Sequence, residues 1–71
     1  MAIVYTKLMR LLEDRQISFY RLKKSVNIAD GTLSRLRQNR SVSMETINRI
    51  CQMLQCQPGD LMEYIEDPEN D

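Results

Sequence analysis

The sequence predicts an all-α domain of five short helices, with one short β-prone segment at each end of the chain. Three observations favour this fold. Apolar residues recur at the three- and four-residue spacing of one helix face, as at Ile47, Ile50, Cys51 and Leu54. Two glycines and two prolines argue against disorder and against an all-β fold. A length of 71 residues allows a single domain with a small core.

Polar capping residues and apolar spacing place each helix in turn. The predicted helices span residues 7–15, 19–25, 30–37, 44–54 and 58–62. Ser18 is expected to cap helix two, because its hydroxyl can accept from a free backbone N–H of the first turn. Thr6 and Ser43 are expected to cap helices one and four in the same way. Pro58 suits the first turn of the short fifth helix, since its ring presets the backbone angle.

The apolar faces of these helices predict one core. The predicted core consists of Leu8, Leu11, Leu12, Leu22, Val26, Ile28, Leu33, Leu36, Ile47, Ile50, Leu54 and Leu61. Cys51 is also expected to lie in the core, and both it and Cys56 are predicted to be reduced and structural. Two cysteines and no histidine are too few for a disulfide framework or a tetrahedral zinc site. No metal and no cofactor are therefore expected.

Both ends of the chain are short and β-prone. Residues 2–5 are predicted to pair with residues 62–65, within one chain or between two, because a lone strand leaves backbone groups unpaired. The alternative is that both segments are coil that covers the helices. Residues 67–71 hold no apolar residue and are predicted to be an acidic disordered tail. The domain is therefore expected to span residues 1–66.

Charge is balanced over the whole chain but divided unevenly along it. Residues 1–57 hold all ten Lys and Arg and only four acidic residues, a net charge of +6, whereas residues 58–71 have a net charge of −6. A basic body favours a nucleic-acid partner. The alternative is that the charges only solvate the two regions.

Several classes of protein are excluded by what the sequence lacks. The chain has no His, no Gly-rich phosphate loop, and no Ser or Cys beside an evident base, so no enzymatic activity is expected. No apolar run is long enough to span a membrane, and the first residues lack the pattern of a signal peptide. The chain is therefore expected to be cytoplasmic and to have no membrane partner.

The segment Ser18–Leu36 combines two short helices with a tight corner, which is the helix-turn-helix pattern. Asn27 at the corner tolerates the left-handed backbone that ends a helix, and Ile28 is expected to fill the gap between the helices. With its neighbours, this segment resembles the Cro/C1-type (XRE) helix-turn-helix family over roughly residues 6–62. The resemblance is carried by Leu22, Asn27–Ile28, Thr32–Leu36, Asn39–Arg40, Ser43–Ile47 and Cys51–Leu61. Two positions depart from the family pattern, because Lys23 replaces a small residue and Asn27 replaces Gly.

The resemblance implies a compact five-helix Cro/C1-type domain whose third helix, about residues 30–37, enters the DNA major groove. The residues at the base-contacting positions are Ala29, Asp30, Gly31, Thr32 and Arg35. Arg35 is the strongest candidate, because its fork can bond guanine O6 and N7 together. Asp30 could instead cap the third helix, and Gly31 could let the groove approach closely.

Phosphate contacts are implied on both sides of the recognition helix. The residues at the phosphate-contacting positions are Ser18, Phe19, Lys23, Lys24, Ser34, Arg37, Gln38, Asn39 and Arg40. The family often has Gln at the place of Phe19, where it donates to a phosphate, and Phe19 lacks that donor.

The resulting hypothesis is a sequence-specific DNA-binding transcriptional regulator of the repressor type that binds double-stranded DNA as a homodimer. One alternative is the antitoxin of a toxin–antitoxin pair, with a protein partner held by the acidic tail. The other is an interaction module that kept the fold and lost DNA binding. The short side chains of Ala29 and Gly31 keep this last alternative open, because they leave little surface to read bases.

Overall fold

The computed structural model describes residues 2–66, and within them the chain forms four α-helices, one short 3₁₀ turn and two strands. In chain order the elements are β1 (Ala2–Val4), α1 (Thr6–Asp14), α2 (Phe19–Val26), α3 (Asp30–Arg37), α4 (Met44–Leu54), the 3₁₀ turn (Pro58–Asp60) and β2 (Glu63–Ile65). The α2 helix packs against α3 and α4, and the 3₁₀ turn packs against α1 and α4. The predicted acidic tail, residues 67–71, lies outside the described residues.

The predicted fifth helix is wrong, because the chain makes only one 3₁₀ turn at Pro58–Asp60. The Asp60 carboxylate accepts from the backbone N–H of Gln57 at 2.9 Å, which closes the turn on itself. The carbonyl of Leu61 then accepts from the N–H of Leu8 in α1 at 3.1 Å, which holds the end of the turn against α1. The chain leaves the turn here and enters β2.

Each of the four α-helices ends in the same way. Shortly after the last helical turn comes one residue with a positive φ, and the N–H of the next residue bonds a carbonyl five positions back. These left-handed residues are Gln16, Asn27, Asn39 and Gln55. The prediction for Asn27 is confirmed, with φ 60° and ψ 52°. The two glutamines carry no comparable sequence signal, because Gln seldom adopts this conformation.

Two of the three predicted serine and threonine caps are confirmed. Ser18 Oγ accepts from the N–H of Arg21 at 3.1 Å, and Ser43 Oγ accepts from the N–H of Thr46 at 3.2 Å. The predicted cap at Thr6 is wrong, because Thr6 is already helical and Tyr5 holds the cap position without a side-chain hydrogen bond. The N–H of Tyr5 instead donates to the side chain of Asn39.

The core is the predicted one with four changes. The buried apolar residues are Tyr5, Leu8, Leu12, Leu22, Val26, Ile28, Leu36, Ile47, Ile50, Leu54 and Leu61. Leu11, Leu33 and Cys51 were predicted in the core but are only half-buried against it. Tyr5 was missed, because an aromatic residue in a β-prone terminal segment gives no helical spacing by which to place it.

The predicted pairing of the chain ends is confirmed, and it occurs within one chain. Strands β1 and β2 are antiparallel, with Ala2 opposite Ile65, Ile3 opposite Tyr64 and Val4 opposite Glu63. A two-stranded ribbon alone is marginal in water. Tyr5, buried directly after β1, and the Leu8–Leu61 hydrogen bond anchor this ribbon to the helices.

Across residues 2–66, every helix is too short or too polar to cross a lipid bilayer.

Candidate nucleic-acid interface

The α3 helix uses only a narrow face for packing. Leu36 is its one fully buried residue, and Leu33 is half-buried. Gly31 and Arg35 lie four positions apart and therefore share one face of the helix, and both are exposed. Within residues 2–66, no hydrogen bond, ion pair or ring contact engages the guanidinium of Arg35. This face thus offers a free bidentate donor to a partner.

Gly31 is a glycine that the fold does not require. Its φ is not positive, so it does not serve a left-handed turn. A Cβ placed on it would meet no atom within 4 Å. Glycine inside a helix costs roughly 1 kcal/mol relative to alanine. The packing and the backbone conformation of the chain therefore do not explain a glycine at position 31. A partner that approaches this face of α3 closely is the remaining explanation.

Asp30 does not cap α3, so the alternative that Asp30 is the N-cap of the third helix is wrong. It is the first helical residue, while Ala29 holds the cap position without a side-chain hydrogen bond. The Asp30 carboxylate instead lies 2.5 Å from the Lys23 ammonium, across the corner between α2 and α3. The Asp30 side chain is 83% exposed, so the pair contributes at most about 1 kcal/mol to stability. Sequence reasoning missed this pair, whose only signal is opposite charge on the two sides of the corner.

Phe19 brings the start of α2 and the end of α3 together. The Arg37 guanidinium lies over the Phe19 ring, 4.6 Å from its centroid. Lys24 lies similarly over the exposed Tyr20 ring, at 4.9 Å. Such contacts hold a cation in a defined place with about 0.5–1 kcal/mol at an exposed site. The structure therefore holds Arg37 over the first residue of α2, the position at which the family often has a Gln donor.

Asn39 and Arg40 connect α3 to the N-terminal segment. Asn39 Oδ1 accepts from the N–H of Tyr5 at 3.0 Å, and the Tyr5 hydroxyl donates to the carbonyl of Arg40 at 2.8 Å. The N–H of Arg40 in turn donates to the carbonyl of Arg35 at 2.8 Å. The Oδ1 atom of Asn39 therefore has a structural role, and its Nδ2 group is the part of the side chain that could still donate to a phosphate. The Arg40 side chain remains exposed, and no partner within residues 2–66 engages its guanidinium.

The remaining predicted contacts lie on the same stretch of chain. Gln38 Nε2 donates to Ser34 Oγ at 3.1 Å, so these two exposed polar side chains hold one another at the end of α3. Thr32 is half-buried, and Ala29 is exposed just before the helix. Residues 18–40 carry six basic residues and one acidic residue, a net charge of +5. Positive charge around an exposed helix is the electrostatic pattern of a surface that binds nucleic acid.

Comparison with known proteins places this geometry in a family. Residues 7–67 match the family model described as the Cro/C1-type HTH DNA-binding domain. The chain is 34% identical over 61 residues to the uncharacterized HTH-type transcriptional regulator YozG of Bacillus subtilis (strain 168). That match covers 83% of this chain and 73% of YozG.

A solved structure has the same fold. The chain is similar to the crystal structure of the transcriptional regulator VanUg, form II, with a TM-score of 0.89 and 32% identity. The similarity covers 93% of this chain and 88% of the VanUg chain. Since the family model matches most of the sequence, the chain belongs to the family of Cro/C1-type HTH DNA-binding domains.

Proposed function

We propose that the chain is a sequence-specific DNA-binding transcriptional regulator of the repressor type, with α3 in the major groove of double-stranded DNA. The observation that carries the proposal is an exposed face of α3 with a free Arg35, inside a segment of net charge +5. Membership of the DNA-binding family and the likeness to YozG and VanUg support it. A DNA ligand implies the cytoplasm as the place of action.

The proposed contacts divide into base readers and phosphate contacts. Arg35 bonds guanine, Thr32 bonds a base edge or touches a thymine methyl, and Gly31 lets the groove approach the helix. Ala29 and Asp30 lie at the entry to the groove, where Asp30 can accept from cytosine. The phosphate contacts are Ser18, Phe19, Lys23, Lys24, Ser34, Arg37, Gln38, Asn39 and Arg40. At Phe19 the contact is made through its backbone N–H, with the stacked Arg37 supplying the side-chain donor.

Selection from a pool of random duplexes tests the function directly. The pure protein should enrich one family of sequences, with a guanine at the position that faces Arg35. An interaction module that has lost DNA binding would enrich none, and that result would remove the proposal. The comparisons give no support to the antitoxin alternative. A protein partner held by the acidic tail, residues 67–71, is tested separately by deleting those residues.

Replacing Gly31 by alanine should raise stability and lower DNA affinity at once. Alanine favours the helix by roughly 0.5–1 kcal/mol, and no atom of the chain opposes its methyl group. The same methyl group meets the groove floor, so affinity should fall by about fivefold or more, equal to about 1 kcal/mol. Urea unfolding and a binding titration measure the two effects.

Gly59 provides the matched control for Gly31. A Cβ at Gly59 also meets no atom within 4 Å, but this glycine lies in the 3₁₀ turn rather than on α3. Gly59→Ala should leave DNA affinity unchanged. A Gly31→Ala protein that is more stable and binds DNA as tightly as the parent would show that DNA does not approach this face.

The regulator is further proposed to act as a homodimer, because one helix-turn-helix of this size reads half of a two-fold site. The two copies meet on the ribbon surface, defined as the exposed apolar side chains of Ile3, Met44 and Tyr64. Ile3 and Tyr64 are paired across the ribbon and therefore share one face of it. Among residues 2–66, the other exposed large apolar side chains are Tyr20 and Ile65, and Ile65 lies on the opposite face of the ribbon. An open cleft of about 650 Å³, lined in part by Ile3 and Met44, adjoins this surface.

A charge on the ribbon surface should separate the two copies. Ile3→Glu places a carboxylate in the proposed apolar contact, so sedimentation should show a folded monomer and weaker binding to a two-fold site. Tyr20→Glu, an equal change at an exposed aromatic residue outside the ribbon surface, should leave the free protein dimeric. An intact protein that sediments as a monomer, both free at high concentration and on DNA, would exclude the dimer.

A further inference from the structure

The C-terminal end of α4 holds the two cysteines together. Gln55 is left-handed, with φ 56° and ψ 54°, and the N–H groups of both Gln55 and Cys56 donate to the carbonyl of Cys51. In a helix end of this type, the side chains at the two positions that Cys51 and Cys56 occupy lie against each other. The turn at the end of the helix, rather than closeness in sequence, therefore brings the two thiols together.

The two cysteines lie close together, and both are partly exposed to solvent. Burial is the main cause that raises the pKa of the Cys56 thiol, and the neighbouring Cys51 raises it further. Both cysteines are free and half-buried. Both line one open cleft of about 350 Å³ beside Ile47 and Pro58. Cys56 also lines a second cleft, whose charged residues are the basic Lys7, Arg10 and Arg15 and the acidic Asp14 and Asp60.

We propose that Cys51 and Cys56 are a redox-active dithiol that a small disulfide of the glutathione disulfide class converts into an intramolecular disulfide. One cysteine thiolate attacks the small disulfide, which forms a mixed disulfide and releases one small thiolate. The second cysteine thiolate then attacks the protein sulfur of the mixed disulfide and releases the other small thiolate. The two protons from the cysteines end on the two released thiols. The protein loses two electrons, and the small disulfide gains them.

The fold favours the internal disulfide over two mixed disulfides. A disulfide needs Cα atoms about 4.4–6.8 Å apart, and the backbone hydrogen bond between Cys56 and Cys51 holds these two residues close. Folding already brings the two cysteines together, so closing the disulfide ring costs little further conformational entropy. The second thiol therefore acts at a high effective concentration. Burial raises the pKa of the Cys56 thiol, which slows its attack but also denies the dithiol form the stabilisation that a thiolate of low pKa would give.

The proposed dithiol does not depend on DNA binding. None of the proposed base-contacting or phosphate-contacting residues lines either cleft. Oxidation is thus expected to bind the end of α4 covalently to the segment before Pro58 and to leave the α3 surface as it is.

Equilibration of the full-length protein in glutathione redox buffers tests the proposal. After acid quenching, the intact mass should show one oxidised species that has lost two hydrogen atoms and carries no glutathione. Cys51→Ser and Cys56→Ser should each retain one glutathione adduct, because neither has a second thiol to displace it. A parent protein that accumulates adducts or intermolecular disulfides instead would overturn the proposal.

The role of the fold is tested by comparing folded and unfolded protein. In urea, half-oxidation should need at least about tenfold more glutathione disulfide, because the turn that holds the thiols together is lost. Gln55→Gly should behave as the folded parent, since glycine accepts a positive φ, whereas Gln55→Val should move toward the unfolded value. Equal midpoints for the folded and unfolded parent would show that the turn contributes nothing.

Discussion

Raising the salt concentration from about 50 to 200 mM should weaken DNA binding by about 10³-fold. Each copy has four basic residues among its proposed phosphate contacts, Lys23, Lys24, Arg37 and Arg40. A dimer on one duplex can therefore contact at least about six phosphates and release a matching number of counterions. The logarithm of the affinity should therefore fall linearly with the logarithm of salt, with a slope of about −5. A fluorescence titration of one duplex at several salt concentrations measures this slope.

The slope also tests single phosphate contacts. Lys24→Gln removes one proposed contact from each copy and should reduce the slope by about 1 for each copy bound. Arg49→Gln is the matched control, because Arg49 lies on α4 in an ion pair with Glu45 and outside the proposed surface. Measurable duplex binding with a flat salt dependence would contradict the electrostatic account.

Arg35→Ala should cost about 1–3 kcal/mol of binding free energy on the preferred duplex and relax base choice at one position. The reason is that the variant loses the bidentate bond to guanine. On random duplexes the parent protein does not make this bond, so the substitution removes nothing there. Arg40→Ala should weaken preferred and random duplexes alike, because a phosphate carries no sequence information. Binding titrations of both variants on both duplexes measure the difference.

The two arginines form a matched pair within one structure. Both are exposed, both have guanidinium groups without a partner within residues 2–66, and one backbone hydrogen bond joins them. Circular dichroism should show both variants folded. If Arg35→Ala weakens preferred and random duplexes equally, Arg35 is a phosphate contact and the base reader is another residue.

Local signals were enough to predict most of the fold. Ser18 and Ser43 cap helices through bonds to a residue three positions ahead, and such bonds depend only on nearby sequence. The spacing of Leu22 and Val26 likewise places them on one face of one helix. The predicted fifth helix was wrong, and the chain after the 3₁₀ turn is held by a bond between Leu61 and Leu8, a partner more than fifty positions away. No pattern within residues 58–62 records that contact.

The candidate site was predictable in position but not in its internal contacts. The resemblance located α3 and the basic residues around it. It could not show that Asn39 is held by Tyr5, or that Arg37 stacks on Phe19, because each pair joins distant parts of the chain. Asp30 was open between two roles, and the structure pairs it with Lys23. Side-chain partners depend on tertiary packing, which helical periodicity does not encode.

The ribbon has a consequence for the order in which the molecule assembles. Strands β1 and β2 can pair only after both ends of the chain have met, and closing a loop of about sixty residues costs conformational entropy. Three residue pairs cannot offset that cost before the helices have packed. We therefore expect the ribbon to be absent from the folding transition state, so that it slows unfolding without speeding folding. The joined ends of the chain thus govern how long the folded protein survives, rather than how quickly it forms.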